Sequence, residues 1–243
     1  MKVLISGCSY SCGTKSYGAI LKEMGYDVSN LSHPGLSNNH IIYKIYDYIT
    51  KHNIENSFII LQITWLHRLG LYSSYFQKWV NYQPNAFNVI PTYNEKSNFV
   101  NFEVDFKNPL ISEMYDKNIN KNDTIDEMLK MYSSYIEHHY NEKETFNYLL
   151  YQIDTLVSHA EKKNNKILLM YWPEINNDNQ LEELKKRNFF NLENEYSILK
   201  WSTKYKFLNT ESSHLSISGH AKIAEELNEF LLKQEKKHKI NLI

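Results

Sequence analysis

A serine near the start of the chain and a histidine near its end are residue types that together make a nucleophile. Ser9 lies in the stretch SGCSYS at positions 6–11, and His214 follows Glu211 by three positions. A serine hydroxyl is a weak nucleophile until an imidazole takes its proton, and a carboxylate that holds the imidazole improves that base. Ser9, His214 and Glu211 are therefore candidates for nucleophile, base and orienting acid.

Each candidate also has an ordinary structural explanation, which the residues alone leave open. Ser9 would serve equally as a cap of the first helix, and His214 and His220 as a loop residue and a helix-start residue. Only two cysteines are present, Cys8 and Cys12, which is too few for a disulfide framework. We expect both thiols to be reduced and Cys8 to be a small buried side chain rather than a nucleophile.

Apolar patterns alternate between strand and helix along most of the chain and predict an α/β fold. The predicted strands are 3–5, 26–31, 58–63, 167–172 and 205–208, and the predicted helices are 17–24, 37–49, 146–160 and 218–232, with an irregular helical stretch at 181–199. Such alternation requires a parallel sheet covered on both faces and joined by right-handed crossovers. We expect one doubly wound α/β/α sandwich over residues 1–243, flavodoxin-like, with a five-stranded parallel sheet.

The segment at about 69–141 interrupts this alternation and is rich in Tyr, Phe and Asn. A structureless loop of that length is improbable in a compact domain. We therefore expect an aromatic-rich insertion after the third strand with elements of its own, including a strand over 99–106 and a helix over 124–140. A lid or a partner surface is the expected use of such an insertion, although its aromatic residues serve equally as its own core.

The carboxyl ends of the predicted strands are where this class of sheet binds ligands. By that rule the turn at Ser9, the loop at Gly35, the segment at Thr64 and the segment at 211–214 should converge. Residues that are more than 200 positions apart in the sequence would then share one site.

These residues, in this order, resemble the SGNH (GDSL-like) hydrolase family, whose members carry four short motifs. The stretch GCSYS at 7–11 matches the first motif with Cys8 in place of its aspartate, which implies that Ser9 is the nucleophile. The stretch NLSHPGLSN at 30–38 fits the second motif and implies that the Gly35 N–H donates to the oxyanion. The stretch ESSHL at 211–215, with GH at 219–220, matches the last motif with Glu211 in place of aspartate, which makes His214 the base.

The third motif departs from the family pattern. Relatives show Gly-x-Asn-Asp after the third strand, where this chain has QITW at 62–65, so the asparagine that completes the oxyanion hole is absent. Losing one such donor costs roughly a hundred- to a thousandfold in turnover. Thr64 or the neighbouring Asn38 and Asn39 are the candidate replacements. A looser resemblance, to a Thr-Trp-x-x-Arg signature, marks Trp65 and Arg68 as candidate substrate-binding residues, with a structural ion pair of Arg68 as the alternative.

The resemblance implies a serine esterase that cleaves a small acyl or acetyl ester, on a small molecule or a glycan, through an acyl-enzyme and without a cofactor. One alternative is a catalytically impaired binding or structural protein of the same fold, because two motifs are altered. Another is an O-acyltransferase that moves the acyl group to a sugar hydroxyl.

Charge and composition exclude several other classes. The chain has 27 basic and 28 acidic residues and a net charge of −1, and no basic cluster interleaved with aromatic residues, so we expect no nucleic-acid partner. No signal peptide or membrane-spanning stretch is evident, which predicts a soluble, cytoplasmic protein. No cluster with metal-ligand spacing is present, and abundant Asn, Lys, Tyr and Ile with scarce Gly and Pro is typical of a low-GC genome, such as that of a virus.

Overall fold

The computed structural model describes residues 1–66, 68–73, 78–82, 90–93, 99–103, 141–175, 177–209 and 214–240, with only the backbone given for 236–240 and for the strands between 69 and 103 apart from Gly70. Eight strands and six α-helices are found in these ranges. The strands are β1 Lys2–Ser6, β2 Asp27–Asn30, β3 Phe58–Ile63, β4 Leu69–Ser73, β5 Lys78–Tyr82, β6 Ile90–Tyr93, β7 Phe99–Glu103 and β8 Lys166–Tyr171. The helices are α1 Tyr17–Glu23, α2 Asn38–Lys51, α3 Glu142–Glu161, α4 Asp178–Lys185, α5 Ile198–Lys204 and α6 Ile217–Ile240.

The central sheet is parallel, with the strand order β2-β1-β3-β8. Val3 pairs with Val28 of β2 on one side and with Phe58 of β3 on the other. All six residues of β3 are buried, as an apolar strand covered on both faces of a parallel sheet should be.

Helices cover both faces of this sheet, which confirms the predicted doubly wound α/β/α sandwich. Helices α2 and α3 bury one stripe each against one face, and α1 and α6 pack against each other and against the opposite face. The inward residues lie at helical spacing, so the hydrophobic pattern alone positions these helices. They are Ile41, Ile45 and Ile49 of α2, Phe146, Leu149, Ile153 and Leu156 of α3, Leu21 of α1, and Ile223, Ala224, Leu227 and Leu231 of α6.

The predicted fifth strand at 205–208 is wrong: the described part of the sheet has four strands. After α5 the chain turns through Lys206, whose φ is +57°, and Leu208 forms only an isolated antiparallel bridge with Leu215. Residues 188–190 bond to the free edge of β8 instead. Leu169 N donates to Asn188 O, and Phe190 N donates to Leu169 O. The helical stretch predicted at 181–199 is likewise broken into α4, a bridged segment and α5.

The segment after β3 does have elements of its own. It contributes a second four-stranded sheet with the order β4-β5-β7-β6, in which β5 and β7 are parallel and the other pairs antiparallel. The strand predicted at 99–106 corresponds to β7. The helix predicted at 124–140 lies outside the described residues. No helix in the described ranges is long and apolar enough to cross a membrane.

Candidate active site

The carboxyl ends of three central strands meet around one aromatic ring, that of Tyr10. Tyr10 follows β1, and its ring stacks on Trp172, the residue after β8, with ring centroids 3.5 Å apart. Trp65, just beyond β3, lies 5.7 Å from the same ring, and His214 stacks on it at 4.7 Å. Burial raises the pKa of the Tyr10 hydroxyl to about 12, so this ring is uncharged. The convergence predicted for the strand ends therefore brings His214 beside the turn that carries Ser9.

Ser9 begins a short 3-10 turn, Ser9–Ser11, directly after β1. The turn is closed by a hydrogen bond from Ser11 N to Cys8 O, 3.0 Å long. The Ser9 side chain is half-buried, whereas Cys8 is fully buried in the core, as predicted for this thiol. Within the described part of the chain, the Ser9 hydroxyl makes no hydrogen bond, so a reacting group can approach it.

A buried polar network holds this turn from below. The Tyr17 hydroxyl donates to Ser11 Oγ at 2.6 Å, and Ser11 Oγ donates to Oε1 of Gln62 on β3. The Gln62 amide also donates to Cys8 Sγ at 3.5 Å, and Asn30 at the end of β2 donates to Ser11 O at 2.8 Å. The Ser9 turn is thus tied to both strands that flank β1.

Two glycines permit the close approach of these loops. A Cβ on Gly7 would lie 2.5 Å from Ser11 Oγ and 2.7 Å from Gln62 Oε1, which is closer than packed atoms come. Gly7 O also accepts a hydrogen bond from His33 N at 3.1 Å, which fixes the second loop against the first. Gly35 in that second loop is buried and has a φ of +79°, a conformation that glycine adopts without strain.

Thr64 and Asn38, the predicted substitutes for the missing asparagine, lie side by side. Asn38 Oδ1 accepts a hydrogen bond from Thr64 N at 2.8 Å, and its amide donates to the carbonyls of Thr64 and Trp65 at 3.1 and 3.3 Å. The Asn38 amide is therefore occupied in holding the end of β3. The Thr64 hydroxyl is buried and has no hydrogen-bond partner among the described residues, which is uncommon for a buried donor.

Trp65 and Arg68 border the site on one side. The Arg68 guanidinium lies over the Trp65 ring, 4.9 Å from its centroid, and donates to Leu36 O at 3.5 Å. Its charge also acts on Tyr10, where it partly offsets the rise in pKa that burial causes. Arg68 therefore connects the Gly35 loop to the end of β3, while both Trp65 and Arg68 stay half-buried and accessible. His67 between them lies outside the described residues.

A second histidine lies close to His214 in the first turn of α6. His220 is buried, its Nδ1 has no partner among the described residues, and its ring lies 6.1 Å from that of Tyr17. Burial, together with the charge of protonated His214, lowers the pKa of His220 to about 4, so it is neutral. Glu211, the predicted orienting acid, lies outside the described residues.

The order of the predicted motifs agrees with the fold. Ser9 follows β1, Gly35 follows β2, Thr64 follows β3, and His214 stands at the same edge before the last helix. The sequence interpretation assigned no role to Tyr10 or Trp172, although a Trp directly after a buried strand is a signal for this edge. It also missed Gln62, whose polar side chain interrupts an apolar strand. In the described ranges, no three His, Cys, Asp or Glu residues lie together as metal ligands would.

No protein-family model and no curated protein matches the chain. Solved structures with similarity to it include TesA, with 9% identity, a TM-score of 0.49 and coverage of 95% of this chain and 98% of that one. Another is the psychrotrophic esterase EstA from Pseudoalteromonas sp., with 11% identity, a TM-score of 0.48 and coverage of 97% and 98%. A third is a lipolytic protein of the G-D-S-L family from Desulfitobacterium hafniense, with 12% identity, a TM-score of 0.45 and coverage of 94% and 98%. At these values the similarities assign no activity to this chain.

Proposed function

We propose that this protein is a serine esterase that cleaves a small acyl or acetyl ester. The observation that carries the proposal is the stacking of the His214 ring on Tyr10, the residue that follows Ser9, with 4.7 Å between centroids. A half-buried serine on a strand-to-helix turn, with an imidazole at the same sheet edge, is the minimum that acyl transfer needs. The order of the SGNH-like motifs along the chain supports the same chemistry.

The reaction then proceeds in two steps. Ser9 Oγ attacks the ester carbonyl carbon while His214 takes the hydroxyl proton, and the alcohol leaves with that proton, so that an acyl-enzyme remains. Water next attacks the acyl carbon with His214 again as the base, and the carboxylic acid and free Ser9 are released. Glu211 is the proposed acid that orients the imidazole. No cofactor enters either step.

The negative oxygen formed in each step needs preorganised donors. The backbone N–H groups of Ser9 and Gly35 are the proposed pair, since both loops are held together through Gly7 O. Thr64 is the proposed third donor, because its hydroxyl is unpartnered among the described residues whereas the Asn38 amide already donates to two carbonyls. Asn38 then positions Thr64 rather than contacting the oxyanion itself.

Hydrolysis of p-nitrophenyl acetate by the wild type and by Ser9→Ala tests this proposal. We expect Ser9→Ala to lose turnover completely and to keep its unfolding midpoint, because the Ser9 hydroxyl makes no hydrogen bond in the described part of the chain. Ser32→Ala is the matched control, since Ser32 is a serine of the neighbouring loop whose hydroxyl is buried and likewise unpartnered among described residues. A wild type as inert as Ser9→Ala would contradict the proposal and favour a non-catalytic binding protein of the same fold.

Product analysis separates hydrolysis from acyl transfer. When a sugar acceptor is added with the acetyl ester, we expect free acetate as the main product. An acetylated sugar in its place would make the protein an O-acyltransferase with the same Ser9 and His214.

A further inference from the structure

A groove lined by tyrosines runs between α2 and α3, on the outside of the sandwich. Tyr43 and Tyr46 of α2 face Tyr148 and Tyr151 of α3 across a cavity of about 420 Å³. The four side chains are 43–68% exposed, although tyrosine rings gain free energy when they are buried. Exposed aromatic residues that form one contiguous patch mark a binding surface, whereas single exposed ones do not.

The remaining lining of this groove carries no charge and combines polar side chains with two buried apolar ones, Ile42 and Leu156. Asn39 and Gln152 contribute amides at its sides, and every described lining residue is neutral at pH 7. A nucleic acid needs cations along its path, and an acidic or basic peptide needs a charged partner. Neutral sugar rings need neither. Their apolar C–H faces pack on aromatic rings, and their hydroxyls bond to amides and phenols.

The groove leads to the candidate active site. A smaller cavity of about 100 Å³ is lined by Asn39, Tyr148 and Gln152, which the groove shares, and reaches Asn38 and Arg68 at the site. Both helices begin at the carboxyl edge of the sheet and run away from it. From Asn39 to Tyr46, α2 rises about 10 Å. A short chain of sugar rings fits this path, and a single ring covers only part of it.

We propose that the groove between α2 and α3 binds a neutral oligosaccharide whose ester group extends to Ser9. This inference rests on the proposed esterase function and assigns its substrate class. The rings of Tyr148 and Tyr151 are the stacking platforms, since they are the most exposed of the four, at 62% and 68%. Tyr46 is braced by the ring of His159, 4.6 Å between centroids, so that part of the platform is already ordered before binding.

Binding of unesterified tetrasaccharides to the full wild-type chain tests the inference independently of turnover. Cellotetraose, xylotetraose and chitotetraose would be titrated and followed by calorimetry and by saturation-transfer NMR. We expect at least one to bind, and the double variant Tyr148→Ala, Tyr151→Ala to bind it at least ~10-fold more weakly. Tyr205→Ala is the matched control because Tyr205 is 39% exposed and does not line the groove. Circular dichroism establishes that each variant is folded.

The outcomes are distinguishable from failure of the proposed esterase. If Ser9 reacts with a fluorophosphonate but no tetrasaccharide binds at millimolar concentration, or the double variant binds equally well, the groove inference is overturned while the esterase stands. If a tetrasaccharide binds through the tyrosines but Ser9 is inert, the esterase fails and the groove remains a sugar site. A wild-type dimer that the double variant dissociates, with no sugar bound, would overturn the inference in favour of a self-association surface.

Discussion

The two residues proposed to share the chemistry, Ser9 and His214, are held in very different ways. The Ser9 turn follows a central strand and is tied to β2 and β3 by the buried hydrogen bonds of Asn30, Gln62 and Tyr17. The His214 segment lies outside the sheet, where backbone hydrogen bonds and the Leu208–Leu215 bridge join 214–216 to 207–209, and the His214 ring contacts Tyr10.

This difference separates stability from activity. Groups under Ser9 are buried and interconnected, so altering one leaves others unsatisfied and should cost folding free energy. His214 is half-buried on a segment outside the sheet, so removing it should cost activity and little stability. The ring of the proposed base thus stacks on Tyr10 outside the sheet, whereas the nucleophile is positioned by the sheet.

Among variants that keep the Ser9 nucleophile, the largest expected effect is that of His214→Ala. Without the base, we expect p-nitrophenyl acetate turnover to fall by ~10⁴-fold or more. The free energy of unfolding should fall by only about 1 kcal/mol, because the His214 side chain is half-buried and lies outside the sheet. Steady-state kinetics and urea unfolding measure the two quantities. A large loss of stability together with wild-type turnover would mean that His214 has a structural role and is not the base.

The next effect is a pH dependence of stability that originates in His220. Its pKa is about 4 in the folded protein and near 6.5 when unfolded, so the unfolded state binds the proton first as the pH falls. The contribution of His220 to the free energy of unfolding is fully present above pH 6.5. It is lost as the pH falls from 6.5 to 4, by about 3 kcal/mol in total. Between pH 7 and pH 5 the wild type should lose about 2 kcal/mol more than His220→Gln in urea unfolding. Parallel pH profiles would show that His220 is not held neutral.

Gly7→Ala tests the packing under the nucleophile. The new Cβ would collide with Ser11 Oγ and Gln62 Oε1, so we expect about 2 kcal/mol of lost stability, together with reduced turnover as the Ser9 turn shifts. Should Gly7→Ala prove as stable and active as the wild type, the tight approach of β1 and β3 would be disproved.

Tyr17→Phe has the smallest expected effect and tests a single hydrogen bond of the network under the Ser9 turn. It removes the hydroxyl that donates to Ser11 Oγ but keeps the buried ring, so we expect about 1 kcal/mol of lost stability. Turnover should stay within a few-fold of wild type, because Ser11 keeps its bond to Gln62. Thermal unfolding with kinetics on the same samples checks this. A turnover loss as large as that of His214→Ala would mean that Tyr17 acts in the chemistry.

The sequence predicted the helix and sheet layers of the sandwich and the carboxyl edge of its sheet, because these depend on local periodicity. The apolar run 58–63 and the helical stripes of α2 and α3 are repeated at intervals of a few residues, and each occurs as predicted. The loops at Ser9, Gly35 and Thr64 follow from them, since each ends a parallel strand. The strand predicted at 205–208 failed because a short apolar stretch says nothing about its partner, and the edge of β8 is met by 188–190.

The contacts that build the site lie beyond such periodicity. Ser11 and Gln62 are 51 positions apart and Asn38 and Thr64 are 26 apart, so only the folded chain brings them together. The tyrosines of the groove were missed for a related reason: on α2 and α3 they occupy the outward face, which a search for core positions ignores. Their grouping depends on two helices that are distant in sequence.

Fluorophosphonate labelling with identification of the modified peptide tests the central claim most directly, because only a base-activated serine reacts rapidly with this probe. We predict that the label is found on Ser9 of the wild type, that Ser9→Ala is unlabelled, and that His214→Ala is labelled at a small fraction of the wild-type rate. Equal labelling rates for wild type and His214→Ala, or no label on Ser9, would contradict the pairing of Ser9 with His214.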